Sequence, residues 1–442
     1  WQAGGLYLLV LAISLGTSLR PLWKGPQVFF YAHFCGHRPG PLYDELVRIE
    51  PQLGIFRLLA LAWAGLALGG AILARRRFQA GTDGPLLQPL ALCTLALLAV
   101  HWGHGNRHEL GFEQSNASVE ARLGGRLEGA RCRLIYPREI SKTEAERLLL
   151  QCERRMEELD EFFGTESGRV QVFLHRSPEE KARLVGASRT QFAKPWLAQV
   201  HIDRRGFPHP VLDHELAHVV TSQLGRRPFG VAASFYGLLP LPGLIEGAAV
   251  AADWPGGELS VHEQARAMRD LGLAPDLPKI LHAFGFWTQP AARAYTYAGS
   301  FIRWLIETKG AEAFATAYRS GDFEAAYGLP LASLTQEWEA HLDGLELSPE
   351  ARALAEARFR RPSLFKESCA RELASLRDHA RSLRSEGDAE GAAELYRRIA
   401  EAAPHDGGAR LAEASAWFAA KEVEKLWSLA SESEANSPQV RA

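Results

Sequence analysis

PVLDHELAHVVTSQLG, residues 210–225, is the stretch that decides how this 442-residue chain reads. Pro210 stands ahead of a helical pattern and Gly225 behind it, the ends those residues favour. Val211, Leu212, Leu216, Val219 and Val220 supply an apolar stripe, so the segment predicts a core helix. His214 and His218 lie four residues apart and therefore stack on one face of that helix. Such a pair presents two nitrogens to one metal ion, at about 2 Å for zinc. Glu215 is placed to take a proton from a water whose pKa zinc lowers towards roughly 7, which makes it the candidate general base. The other reading of the pair is two core histidines satisfied by hydrogen bonds.

A third ligand is needed, and LPGLIEGAAVAAD (241–253) offers one. Prolines 240 and 242 open a second helix with Glu246 one turn in. Gly247, Ala248 and Ala249 leave little bulk, so this helix is expected to lie close against the HELAH helix. A carboxylate on an apolar, small-residue helix is costly to bury alone, and zinc would be its partner. Asp253, seven residues on, shares roughly that face and is expected as a carboxylate supporting a histidine N–H. Asp253 and Glu258 are also the competing third ligands. AYTYAGSFIRWL (294–305) carries two tyrosines ahead of an amphipathic helix, and a phenol donor near zinc would stabilise an oxyanion.

HELAH followed by a helix with EGxA resembles the gluzincin metallopeptidases, over roughly residues 130–345. The resemblance implies a zincin-like α+β domain that hydrolyses peptide bonds. It also implies His214, His218 and Glu246 as metal ligands and Glu215 as base, with Tyr297 as the oxyanion donor and Tyr295 its substitute. The interval from His218 to Glu246 is longer than in the best-known members. That departure suggests a divergent branch, closer to bacterial peptidase-like domains coupled to tetratricopeptide repeats. No GAMEN-like exopeptidase sequence precedes HELAH, and substrate preference stays open. The alternative function is a peptide-binding scaffold that does not cut, against which the intact Glu215 speaks.

Ahead of HELAH, CRLIYP (132–137) reads as a strand and Thr143–Phe163 as a helix. RVQVFLH (169–175) and WLAQVHID (196–203) read as further strands. Strand Trp196–Asp203 is expected at a sheet edge, where a peptide substrate would add. Glu372 onward is rich in Ala, Glu, Leu and Arg. SEGDAEGAAELYRRIAEAAPHD (385–406) fits half a tetratricopeptide-type hairpin, with Gly387 in the turn, Ala392 and Tyr396 packing and Pro404 closing the unit. Such helices suit recruitment of a protein partner or a plain helical cap.

The first hundred residues differ from the rest. Apolar stretches near 6–19, 54–74 and 85–102 predict about three transmembrane helices. HFCGHRPGPLYDE (33–45), between the first two, is expected as a docking or lid loop and not a metal site. Arg75, Arg76 and Arg77 follow the second stretch directly and place that loop in the cytoplasm. The site would then lie outside a bacterial-type cytoplasmic membrane in a multi-pass protein. Cys35, Cys132, Cys152 and Cys369 would share the oxidising side, as two disulfides or as free buried thiols. Trp1 in place of Met leaves room for residues before it. The net charge of −2 offers no support for a nucleic-acid partner. The expected order is a membrane region over 1–104, a catalytic domain over 111–345 and a helical tail over 346–442, with a peptide substrate and the bilayer as partners. A reporter fused after Gly111 is expected to be active only outside the cytoplasm, and one fused after Arg77 only inside. The reverse pattern would overturn this topology.

Overall fold

The computed structural model describes residues 2–34, 36–41, 51–78, 86–253, 259–359, 370–403 and 407–436. It is a mixed α/β protein, mostly helical, and it ends in an all-helical tail. Two compact units emerge, Trp1–Leu149 with Val170–Pro208, and Leu150–Arg169 with His209–Ala442. Their division runs through the segment 111–345.

The first unit opens with α1 (Gln2–Lys24), a hairpin of β1 (Phe30–Ala32) and β2 (Gly36–Arg38), α2 (Pro51–Phe78) and α3 (Leu87–Gly105). All three apolar stretches are thus helical, but only Pro51–Arg76 among the described residues is long and apolar enough to cross a membrane. α2 and α3 pack through small residues. A Cβ on Gly103 would stand 2.5 Å from Leu59, and one on Gly69 would stand 2.6 Å from the Cys93 sulfur. In the hairpin, His37 stacks on Tyr31 at 4.2 Å between ring centres, as an aromatic neighbour. Cys35 lies outside the described residues.

A five-stranded sheet follows, built on α4 (Asn116–Leu123), β3 (Gly124–Glu128), β4 (Cys132–Pro137), α5 (Lys142–Phe163), β5 (Val170–His175), α6 (Pro178–Val185), β6 (Phe192–Lys194) and β7 (Gln199–Asp203). Strand order is β3-β4-β5-β7-β6, with β4, β5 and β7 parallel and an antiparallel strand at each edge. The parallel strands read as near-continuous apolar runs because both faces are covered. Val119 and Leu123 of α4 and Leu184 and Val185 of α6 close one face over Ile135 and Phe173. His201, to which the sequence assigns no role, is a core ring stacked between Phe173 and Phe192. The expectation of β7 as a free edge is corrected: it pairs with β5 on one side and with β6 on the other. The short β6 was not foreseen, and it is what covers β7. Trp196 belongs to a tight turn ahead of the strand, where its ring stacks on Trp23.

Lys194 on β6 is buried and donates to the carbonyls of Leu22, Gly25 and Gln27 at the end of α1. Helix C-termini leave such carbonyls without partners, so one ammonium satisfies what the chain itself cannot.

In the second unit come α7 (Leu212–Thr221), a small hairpin of β8 (Ala233–Ser234) and β9 (Leu239–Pro240), α8 (Pro242–Ala252), α9 (Val261–Asp270), α10 (Leu277–Leu281) and α11 (Ala291–Lys309). α12 (Ala311–Ser320), α13 (Phe323–Tyr327), α14 (Leu331–Asp343) and α15 (Pro349–Phe359) complete a helical layer, and α16 (Ala370–Ser385), α17 (Ala389–Ala402), α18 (Gly407–Ala420) and α19 (Val423–Asn436) form the tail. The tail has its own core, in which Ala392 and Tyr396 are buried with Ile399 and Trp417, and Gly387 takes φ 91° in the turn. Pro404 lies outside the described residues. Cys132 and Cys152 are both buried and disulfide-bonded. Cys369 is not among the described residues.

Candidate metal centre

The HELAH helix α7 is held by its apolar face. Leu212, Leu216, Ala217, Val219 and Val220 are at most 4% exposed. Its start is fixed from α5. Gln151 donates to the His209 carbonyl and to Asp213, and its own carbonyl accepts from the His209 N–H at 2.8 Å. Arg155 lies beside Asp213 at 3.8 Å and also donates to the Ala252 carbonyl, so one guanidinium ties the start of α7 to the end of α8. Further along, Thr221 bonds back to the Ala217 carbonyl and accepts from the buried Tyr318 hydroxyl at 3.3 Å.

α8 begins at Pro242 and carries Glu246 one turn in. α8 lies against α7 as expected, and its glycines also make room for α10 and α11. A Cβ on Gly243 would meet the Ile280 carbonyl oxygen at 2.2 Å, and one on Gly247 would meet Ile302 at 2.6 Å and Ala298 at 2.9 Å. Gly299 answers from α11, where a Cβ would stand 2.4 Å from Val250. At Gly243 the obstacle is the Ile280 backbone, and at Gly247 and Gly299 it is the side chains of the facing helix, so each glycine makes room that a Cβ would fill.

This packing brings together His214, His218 and Glu246. One carboxylate oxygen of Glu246, Oε2, lies 3.3 Å from His214 Nε2 and 3.5 Å from His218 Nε2. The three donor atoms all fall within 4.8 Å of one another, and all three side chains are partly buried. Tetrahedral bonds of about 2.0–2.1 Å would set neighbouring donors roughly 3.3–3.4 Å apart, so the spacing and the His, His, Glu donor set fit a zinc ion. Glu215, next in the chain after His214, is buried.

The site's electrostatics follow from burying these charges together. Burial disfavours a charged His214, but the hydrogen bond and charge of Glu246, with Glu215 and Asp253, outweigh it and raise its pKa to about 9. Glu246 would be pushed up by burial, yet the His218 charge and the hydrogen bonds from both histidines hold it well below the usual carboxylate range. Asp253 caps the end of α8, and burial together with Asp213 pushes it up to about 7 against the pull of His214. Among the described residues it makes no hydrogen bond to either histidine, so it acts on His214 by charge. Glu258 lies outside the described residues.

The two tyrosines of α11 part company. Residues two apart on a helix point to nearly opposite sides. Tyr297 packs against Trp338 at 4.7 Å, on the side of α11 opposite Tyr295, and burial raises its pKa further above the ordinary value. Tyr295 stands beside His214, with ring centres 6.3 Å apart, and against Phe286 at 5.1 Å. The sequence carried the signal: Tyr295, Ala298, Gly299 and Ile302 form one i, i+3, i+4, i+7 stripe, the face that meets α8. Gln151, Arg155 and Tyr318 were not singled out from sequence, because nothing local marks which polar residue will meet a helix distant in the chain.

No protein-family model matches the chain, and neither a curated protein nor a solved structure matches it.

Zinc titration of the purified chain separates the candidate ligands. Glu246→Ala is expected to weaken affinity more than 100-fold, while Asp253→Ala loses about tenfold, as for a group that supports a ligand without binding metal. Wild-type affinity in Glu246→Ala beside a large loss in Asp253→Ala would remove Glu246 from the ligand set.

Proposed function

We propose that this chain is a membrane-anchored zinc peptidase of gluzincin type that hydrolyses peptide bonds through an activated water. The observation that carries the reading is the convergence of His214, His218 and Glu246 at zinc-ligand spacing. The neighbouring Glu215 and Tyr295 supply groups that a bare metal-storage site does not need.

When bound, zinc supplies Lewis acidity at its open position, polarising a substrate carbonyl and lowering the pKa of water. Glu215 takes the proton of the attacking water and returns it to the leaving amine, the two halves of general acid–base catalysis. The hydroxyl of Tyr295 donates to the oxygen that gains negative charge, a role that its place beside His214 supports better than that of Tyr297. Gln151 fixes the start of α7 and Arg155 ties it to the end of α8, which holds the donors without an entropy cost at each turnover.

The membrane part of the proposal rests on Pro51–Arg76, supported by the helical Gln2–Lys24 and Leu87–Gly105. Multi-pass insertion with the site outside the cytoplasm completes it. The tail suits a protein partner, since Leu411, Phe418 and Trp427 are 70–77% exposed there.

Assays on an unstructured protein such as casein test the chemistry. Glu215→Gln is expected to keep zinc and lose about 10²–10⁴ in rate. Tyr295→Phe should lower kcat by about 100-fold with zinc retained, while Tyr297→Phe stays near wild type. Undiminished cleavage by Glu215→Gln would rule out the mechanism. Zinc binding with no cleavage by the wild type would favour the non-catalytic, peptide-binding scaffold.

A further inference from the structure

The interval between His218 and Glu246 contains the β8–β9 hairpin, whose tip is Phe235-Tyr236-Gly237-Leu238. Phe235, Tyr236 and Leu238 are 72%, 84% and 63% exposed. This is not a frayed loop. Phe235 and Tyr236 hold φ of 45° and 56°, in the left-handed region that side chains avoid, and Gly237 follows at 86°. A Cβ at residue 237 would stand 2.1 Å from the Arg227 carbonyl oxygen, so only glycine lets the tip close onto the 226–231 turn. Ser234 and Leu239 pair across the hairpin, and the Leu238 N–H donates to the Phe235 carbonyl at 3.2 Å. The fold holds apolar rings out into solvent at a fixed place, a costly arrangement for a surface with nothing to cover it.

The base of the hairpin is basic. Arg226 lines a shallow cleft of about 380 Å³ together with Ser234, Phe235, Tyr236, Ser320 and Asp322. Arg226 also donates to the Arg319 carbonyl at 3.1 Å, Arg319 donates to the Leu224 carbonyl at 3.5 Å, and the Arg227 carbonyl lies under Gly237. Asp322, the acid in that cleft, uses its carboxylate to cap the Ala325 N–H. Arg226 therefore lines the cleft beside the exposed tip side chains, and Arg227 and Arg319 are exposed neighbours of it, one in the chain and one through its carbonyl.

We propose that this hairpin is a lipid-binding tip. Phe235, Tyr236 and Leu238 enter the interfacial layer of a bilayer, and Arg226, Arg227 and Arg319 meet the phosphates of anionic headgroups. Amphipathic aromatics in front of arginines are the chemistry that a membrane interface selects. The same chain carries Pro51–Arg76, long and apolar enough to cross a membrane, so a bilayer is the apolar phase at hand. The inference stands independently of zinc or hydrolysis.

The test places photoreactive benzoylphenylalanine at Tyr236, or at the exposed Leu150 as a control, in the full chain reconstituted in phosphatidylcholine vesicles with or without phosphatidylglycerol. Each arginine near an anionic surface is worth about fivefold in partitioning. Lipid adducts at residue 236 should therefore exceed those at residue 150. They should also fall by about tenfold or more when phosphatidylglycerol is omitted, and likewise in Arg226→Ser/Arg227→Ser. The change of lipid needs no variant arginine, so a misfolded double variant leaves the test intact. Equal lipid adducts at both positions would overturn the proposal. So would adducts to a second copy or to peptide in place of lipid, or adducts indifferent to phosphatidylglycerol.

Discussion

One carboxylate between two imidazoles is the interaction on which the rest of this arrangement depends. Glu246 sits on a helix whose other residues are glycine, alanine and aliphatic, and a negative charge there needs a compensating partner. Its Oε2 finds two, His214 at 3.3 Å and His218 at 3.5 Å. The same geometry suits a proton or a divalent cation. A metal bound there would compete with the proton that Glu246 helps hold on His214, so its binding would be linked to proton release.

Holding that contact takes two successive helices, α7 and α8, joined by the segment that carries the β8–β9 hairpin. α7 is set by its buried leucines and valines and by Gln151 at its start. α8 is set by glycine contacts with α10 and α11, and Arg155 closes the pair. Close packing of α8 and α11 at Gly247 and Gly299 does more than fix Glu246. It also brings the α8-facing stripe of α11, with Tyr295 at its head, beside His214. One packing choice therefore positions a candidate ligand and a hydroxyl together. Adding a side chain at Gly247 would push on Ala298 and Ile302 and move both.

Much of this was legible in the residues. The i, i+4 histidines and the lone glutamate on a small-residue helix are local patterns, and the structure brings those three side chains together, although their helix ends at Thr221, ahead of the expected Gly225. The strands at 132–137 and 169–175 and the helix ending at Phe163 were equally readable, because their periods are set by burial. What escaped depends on partners distant in the chain. β7 carries no mark of being covered, since the three-residue β6 is too short to show a period. Tyr295 and Tyr297 are equivalent as residue types, and only the stripe of Ala298, Gly299 and Ile302 tells which one faces α8. The small residues beside Glu246 signalled the close packing of α8 on α7, but not that Gly247 would also seat α11.

The most direct measurement is zinc X-ray absorption on the metal-loaded chain, with and without the ligand side chains. Two imidazole nitrogens and carboxylate oxygen at about 2.0–2.1 Å, with no sulfur near 2.3 Å, are expected, and Glu246→Ala should remove oxygen from that shell. A sulfur ligand, or a spectrum unchanged in His214→Ala/His218→Ala, would contradict the assignment of His214, His218 and Glu246 as the metal centre.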